Sequence, residues 1–145
     1  VSACLVGSEM CIRDRRGALR PGGALVAQCG GAGNITGLRR RAWEVIERPP
    51  YAEHFADWRD PWNYAGAQET QARLLHAGFR EARCWLAQAP VVPEQPHEFL
   101  RTVILGPHVQ RLPDALREPF IDDVVEHLGS PIEVDYVRLN IDAVA

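Results

Sequence analysis

The sequence predicts an α/β fold, and three observations carry the prediction. Pro21-Gly22, a pair suited to a type II turn, leads into the short apolar run Ala24 to Gln28, a glycine-rich loop and a helical stretch. Two further strand-like runs, residues 80–88 and 132–141, follow later in the chain. The stretches between the three runs carry apolar residues at helical spacing, which layers helices on a common sheet.

In chain order, Ala24 to Gln28 has the composition of a strand covered on both faces. Gly30, Gly31 and Gly33 follow, and Asn34 is a good N-cap for the next helix. Ile35, Leu38, Ala42, Val45 and Ile46 give that helix its apolar face, and Pro49-Pro50 stop it. The aromatic-rich stretch "YAEHFADWRDPWNYAG" is irregular, a lid or connection over a site. "AQETQARLLHAGF" reads as a helix closed by Gly78 at the C′ position, with Phe79 supplying the hydrophobic contact that accompanies such a cap.

"REARCWLAQA" predicts a strand with Ala82, Cys84 and Leu86 on one face. Residues 97–105 read as a helix with Phe99, Leu100, Val103 and Ile104 inward, broken by Gly106-Pro107. Leu116, Phe120, Val124 and Leu128 form another stripe, within which Pro119 marks a new first turn. In "IEVDYVRLNIDAV" the apolar positions run Ile132, Val134, Tyr136 and then change phase to Val137, Leu139, Ile141. That change predicts a bulge or a strand buried on both faces. Three strands of this kind cannot close a sheet alone, so the fold reads as cut short on its N-terminal side.

The opening stretch stands apart. "LVGSEMCIRDR", residues 5–15, has neither helical nor strand period, and Glu9, Arg13 and Asp14 interrupt any signal-peptide core. All eleven residues from Leu5 to Arg15 resemble the in-frame translation of a transposase adapter used to prepare sequencing libraries. Residues 1–15 are accordingly expected to be a non-native segment that adds no core contact, and residues 16–145 to be part of one domain.

Composition narrows the function classes. A net charge of −3 and a pI near 5.9 argue against nucleic acid or an anionic membrane as partner, and no apolar stretch approaches a membrane span. Cys4 and Cys11 fall in the opening stretch, and Cys29 and Cys84 lack the spacing of a disulfide framework or zinc site. No metal is expected, and a reducing cytoplasm is the expected location. His54, His76, His97, His108 and His127 are scattered through polar contexts and read as superficial.

The stretches "LRPGGALVAQCGGAGN", "LLHAGFREARCWL", "EFLRTVILGPHVQRLP" and "VDYVRLNIDA" resemble the C-terminal half of a class I S-adenosylmethionine-dependent methyltransferase, of the trans-aconitate methyltransferase-like group. The resemblance covers Arg16 to Ala145. It implies a Rossmann-like sheet in which residues 24–28 are strand five, 80–88 strand six and 132–141 strand seven, inserted antiparallel between them. It also implies S-adenosylmethionine as cofactor and a small carboxylic acid as methyl acceptor. The family's glycine-rich cofactor loop and ribose-binding acidic residue lie upstream of anything in this chain. A fragment without them is expected to be inactive alone, and no catalytic residue is assigned.

Within the resemblance, Gln28, Cys29, Gly30, Gly31, Asn34, Trp62, Tyr64 and Arg101 are candidates for binding the acceptor. Arg101 could pair with a carboxylate bidentately or lie on the surface with its stem over apolar neighbours; Trp58, Trp62 and Tyr64 suit either core or pocket. Two rival readings attach to the glycine loop. Residues 31–36 miss the dinucleotide fingerprint by one position and lack its downstream acidic residue. Ala27-Gln28-Cys29-Gly30-Gly31 has the small-x-nucleophile-x-small form of an α/β-hydrolase elbow, with Asp122 and His127 following in chain order. The alternatives are therefore an esterase fragment with Cys29 as nucleophile, or a non-catalytic binding fragment. Arg39-Arg40-Arg41 reads as a solvated helix face or an anion site.

Overall fold

The structure is a computed structural model that describes residues 9–145, with side chains from Cys11 onward; Cys4 lies outside the described residues. The elements are α1 (Glu9–Gly17), β1 (Ala24–Gly30), α2 (Thr36–Ile46), a 3-10 turn (Ala52–His54), α3 (Ala67–His76), β2 (Glu81–Gln88), α4 (Pro96–Phe99), a π-helical turn (Leu100–Ile104), α5 (Gly106–Val109), α6 (Asp114–Leu128) and β3 (Val137–Val144). They form two compact units. One holds the described residues up to Asn34 with Trp62–Ala89 and Tyr136–Ala145; the other holds Ile35–Pro61 and Pro90–Asp135.

The first unit is an open three-stranded sheet in the order β1-β3-β2, with β3 antiparallel to both neighbours. The last strand in sequence is thus central, as its apolar content requires: Val137, Leu139, Ile141 and Ala143 are all buried. Leu139, Ile141 and Ala143 pack with Leu74 of α3 and Phe79, flanked by Leu25, Ala27 and Cys29 of β1 and Ala82 and Cys84 of β2. The opposite face of β1 stays in solvent, with Val26 79% exposed. Leu86 shares a face with Ala82 and Cys84, as expected, opposite Leu139 in the ladder, and is 41% exposed.

The C-terminus of α3 closes as the sequence implies. Gly78 adopts φ +97°, its N–H donates to the Leu75 carbonyl (3.1 Å), and the Phe79 N–H donates to the Leu74 carbonyl (3.2 Å). This is the paired bonding of a Schellman motif, with Phe79 and Leu74 in contact within one core. The third strand begins later than expected. Residues 132–136 carry one bridge, Val91 to Val134, and the ladder proper starts at Val137, where the phase of burial changes.

The expectation that residues 1–15 add no core contact is overturned at Ile12, which is 1% exposed within the same cluster as Leu74 and Phe79. Helix α1 turns this residue inward and leaves Arg13 and Asp14 in solvent.

In the second unit α2 lies against α6. Leu38, Ala42, Val45 and Ile46 of α2 and Phe120, Ile121 and Val124 of α6 are buried. Three local expectations change here. Helix α2 starts at Thr36 rather than after an Asn34 cap; its N-cap is Ile35, in the left-handed region at φ 48°, ψ 29°. Helix α6 runs unbroken through Pro119, because the bond lost there belongs to the carbonyl of Ala115, an exposed residue that water can satisfy. After α4 the chain widens into a π turn in which the Leu105 N–H reaches back to the Leu100 carbonyl at 2.7 Å. That extra residue per turn rotates the stripe, burying Leu100 and Ile104 and leaving Val103 55% exposed and Phe99 half-buried.

Candidate functional site

The loop that follows β1 gathers most of the candidate residues in the first unit. Gly31 N–H donates to the Val137 carbonyl (3.0 Å), Ala32 N–H to the Ala65 carbonyl (2.9 Å) and Asn34 N–H to the Gly31 carbonyl (2.9 Å). Asn34, 4% exposed, accepts the Val137 N–H on Oδ1 at 2.8 Å. Asn34 therefore pins the loop to the start of β3 instead of capping α2.

The glycines are required by close packing. A Cβ at Gly30 would lie 2.7 Å from the Tyr64 ring and 2.8 Å from Asn34 Nδ2, and one at Gly31 would collide with Leu86 and stand 2.9 Å from Leu139 Cβ. Gly33 holds φ +86°. Gly30, Gly31, Asn34 and Tyr64 thus converge, while the exposed Gln28 donates from Nε2 to Asn140 Oδ1 at 2.8 Å on the neighbouring strand. Cys29 points with Leu25 and Ala27 toward the core, and Trp62 is half-buried.

Arg101 belongs to the second unit. Its guanidinium meets Glu98 at 3.3 Å and Glu118 at 3.7 Å, so its charge is already matched by two carboxylates. The cation beside the loop is instead Arg138, which sequence reading did not single out. It lies opposite Gly30 in the β1–β3 register and sits over the Tyr136 ring at 4.3 Å. The alternation of β3 carried the signal, since it sends Arg138 and Asn140 to the face opposite Leu139 and Ile141.

The nucleophile-elbow reading finds little support. Cys29 lies inside the β1 ladder opposite Leu139, and the one non-glycine residue with positive φ among the described residues is Ile35. Burial pushes the Cys29 thiol up, against a smaller lowering by the Arg138 charge, the reverse of an activated thiolate. Asp122 and His127 are engaged elsewhere: Asp122 Oδ1 with His97 Nε2 at 2.9 Å, and His127 Nε2 with Glu44 Oε2 at 2.5 Å.

The dinucleotide and anion-site readings fare no better. The first amides of α2 are filled by a carboxylate of the protein, with Asp135 Oδ2 accepting the Gly37 N–H at 2.7 Å and Oδ1 the Leu38 N–H at 3.3 Å. In the arginine run, Arg39 pairs with Asp60 at 2.5 Å and Arg41 with Glu44 at 3.5 Å.

The second unit holds an aromatic cluster that its sequence only half revealed. Trp58 stacks with Trp43 (centroids 6.0 Å apart) and meets Phe55 edge-on (5.3 Å), and His108 lies 4.7 Å from Trp58 and 5.9 Å from Phe120. His108, expected to be superficial, is 3% exposed, and burial lowers its pKa to about 4. Trp58 is thereby a packing residue of this unit.

Among the described residues, no group of three or more His, Cys, Asp or Glu is arranged to hold a metal ion, and no helix is long and apolar enough to cross a membrane. No protein-family model matches the chain, and no curated protein matches it.

Proposed function

We propose that this chain is the sheet-terminating part of a class I S-adenosylmethionine-dependent methyltransferase that acts on a small carboxylic acid. The observation that carries the reading is the order β1-β3-β2, in which the last strand in sequence lies central and antiparallel to both neighbours. That is the arrangement the resemblance implies for strands five, seven and six. It agrees with an apolar first strand left at an open edge.

In this reading the chain supplies acceptor-side residues and none of the cofactor cradle. Tyr64 and the packed Gly30–Asn34 loop give a rigid wall, and Arg138 gives the positive charge for a carboxylate. A carboxylate anchored beside that wall would be held for in-line attack on the methyl donor, and positioning of this kind is the main requirement of methyl transfer. The residues that bind the donor belong to the upstream part of the protein.

The test is a chain extended upstream by its natural coding sequence, incubated with S-adenosylmethionine and a panel of small di- and tricarboxylic acids. S-adenosylhomocysteine should be released with one of the acids, and Arg138→Gln should raise KM for it severalfold with a smaller effect on kcat. Turnover that is indifferent to every carboxylate would contradict the acceptor class, and an extended chain with no methyl transfer to any acceptor would contradict the reading itself.

A further inference from the structure

A second cluster of titratable side chains stands apart from the loop after β1. It lies wholly in the second unit, where the C-terminal ends of α2 and α6 come together. His127, in the last turn of α6, meets Glu44 of α2 through Nε2 and Oε2 at 2.5 Å. An ionised carboxylate accepts and cannot donate, so Nε2 carries the hydrogen and Nδ1 of the neutral ring keeps its lone pair. Beside this pair the Tyr51 hydroxyl donates to Asp123 Oδ2 at 2.5 Å.

Arg48, Asp123, Glu126 and His127 line an open cavity of about 410 Å³ there, a volume typical of small-ligand sites. Helical spacing builds one wall, because Asp123, Glu126 and His127 stand at i, i+3 and i+4 on α6. The other wall is Arg48, just beyond the end of α2. Its Nη2 lies 3.4 Å from both ring nitrogens of His127, and it forms no ion pair among the described residues.

The charges select the ligand. The cavity sets one guanidinium against two carboxylates, with a third, Glu44, behind the imidazole. The C-terminal ends of two helices add negative potential. A simple anion is repelled by this lining, and a simple cation leaves Arg48 unmatched. A small molecule bearing both charges satisfies it.

We propose that this cavity binds a free α-amino acid, its ammonium held by Asp123 and Glu126 and its carboxylate by the Arg48 guanidinium. Asp123 can take the ammonium on Oδ1, since Tyr51 occupies Oδ2. His127 Nδ1 offers one further acceptor. The Tyr51 and Glu44 bonds hold the Asp123 carboxylate and the His127 ring in place before the ligand arrives, which lowers the ordering cost of binding. The site is built from the second unit alone and holds whether or not the chain belongs to a methyltransferase.

The test is an NMR titration of the 145-residue chain at neutral pH with L-alanine, L-glutamine and L-lysine. Propionate and ethylamine serve as probes that carry one charge each. At least one amino acid should shift the His127 ring signals saturably, with one site per chain, and the single-charge probes should bind more weakly. Arg48→Gln and Glu126→Gln, both at exposed positions, should each weaken binding by about tenfold or more, the effect of one lost charged hydrogen bond. Arg40→Gln, exposed elsewhere on α2, should bind like the parent. Shifts that stay linear with all three amino acids would overturn the proposal. So would propionate or ethylamine binding as tightly as the amino acids, or an affinity unchanged in either of the two cavity variants.

Discussion

Asp135 caps helix α2 from 98 positions away in sequence, its Oδ2 accepting the Gly37 N–H at 2.7 Å. The carboxylate meets two of the unbonded amides of the first turn and lies at the positive end of the helix dipole. Replacing it with alanine removes a cap that no neighbouring side chain supplies. Asp135→Ala should lower stability by about 1–2 kcal/mol in urea denaturation, with Asp135→Asn costing less; an unchanged midpoint would mean the cap contributes nothing.

His108 should give the fold a pH dependence of known sign. Its folded pKa of about 4 lies below the unfolded value near 6.5, because burial penalises the charged ring. Between those values the unfolded chain binds a proton that the folded chain refuses. Stability is therefore full above about pH 6.5 and falls as pH drops toward 4, by up to about 3 kcal/mol in total. The measurement is the difference in denaturation midpoint between the parent and His108→Gln across pH 4–7; it should shrink steadily as the pH falls, and parallel curves would contradict the assignment.

Ile12 should matter to stability despite its place in an adapter-like stretch. It is 1% exposed in the core of the first unit, and truncating a buried isoleucine to alanine costs about 2–5 kcal/mol. Ile12→Ala should lower the midpoint of unfolding accordingly, while Arg13→Ala, on the exposed side of α1, should leave it within about 0.5 kcal/mol. Equal and negligible effects would restore the expectation that residues 1–15 are dispensable.

Cys29 should be a slow nucleophile. Its thiol is half-buried and shifted up by desolvation, so little thiolate is present at neutral pH. Iodoacetamide followed by peptide mapping at pH 7.5 should label Cys29 more slowly than a free thiol peptide. Rapid labelling coupled to loss of an esterase activity would revive the hydrolase reading.

The parts of the fold that were legible in sequence are those written locally or by period. Gly78 and Phe79 announced their cap because every bond of a Schellman motif lies within one turn. The apolar density of the last strand marked it as central; its change of phase between Tyr136 and Val137 read as a bulge or two-sided burial, whereas it marks the point where the β3 ladder begins. What stayed hidden depends on partners distant in sequence. Asn34 has the chemistry of an N-cap, and only the fold shows that Val137 claims its side chain while Asp135 takes the cap. The same is true of His108, whose place between Pro107 and Val109 in sequence gave no sign of Phe55, Trp58 and Phe120 around it. Of the sequence candidates, Gly30, Gly31, Asn34 and Tyr64 pack together at the loop; nothing local in sequence told that Arg101 is matched by Glu98 and Glu118, or that Arg138 lies opposite Gly30 in the ladder.

The central claim, that this chain is the acceptor-side part of a methyltransferase whose cofactor site lies upstream, is tested most directly by calorimetric titration of S-adenosylmethionine into two proteins. One is the 145-residue chain and the other is the chain extended upstream by its natural sequence. Binding should be absent in the first and saturable, with one site per chain, in the second. Saturable binding to the 145-residue chain, or none to the extended protein, would contradict the claim.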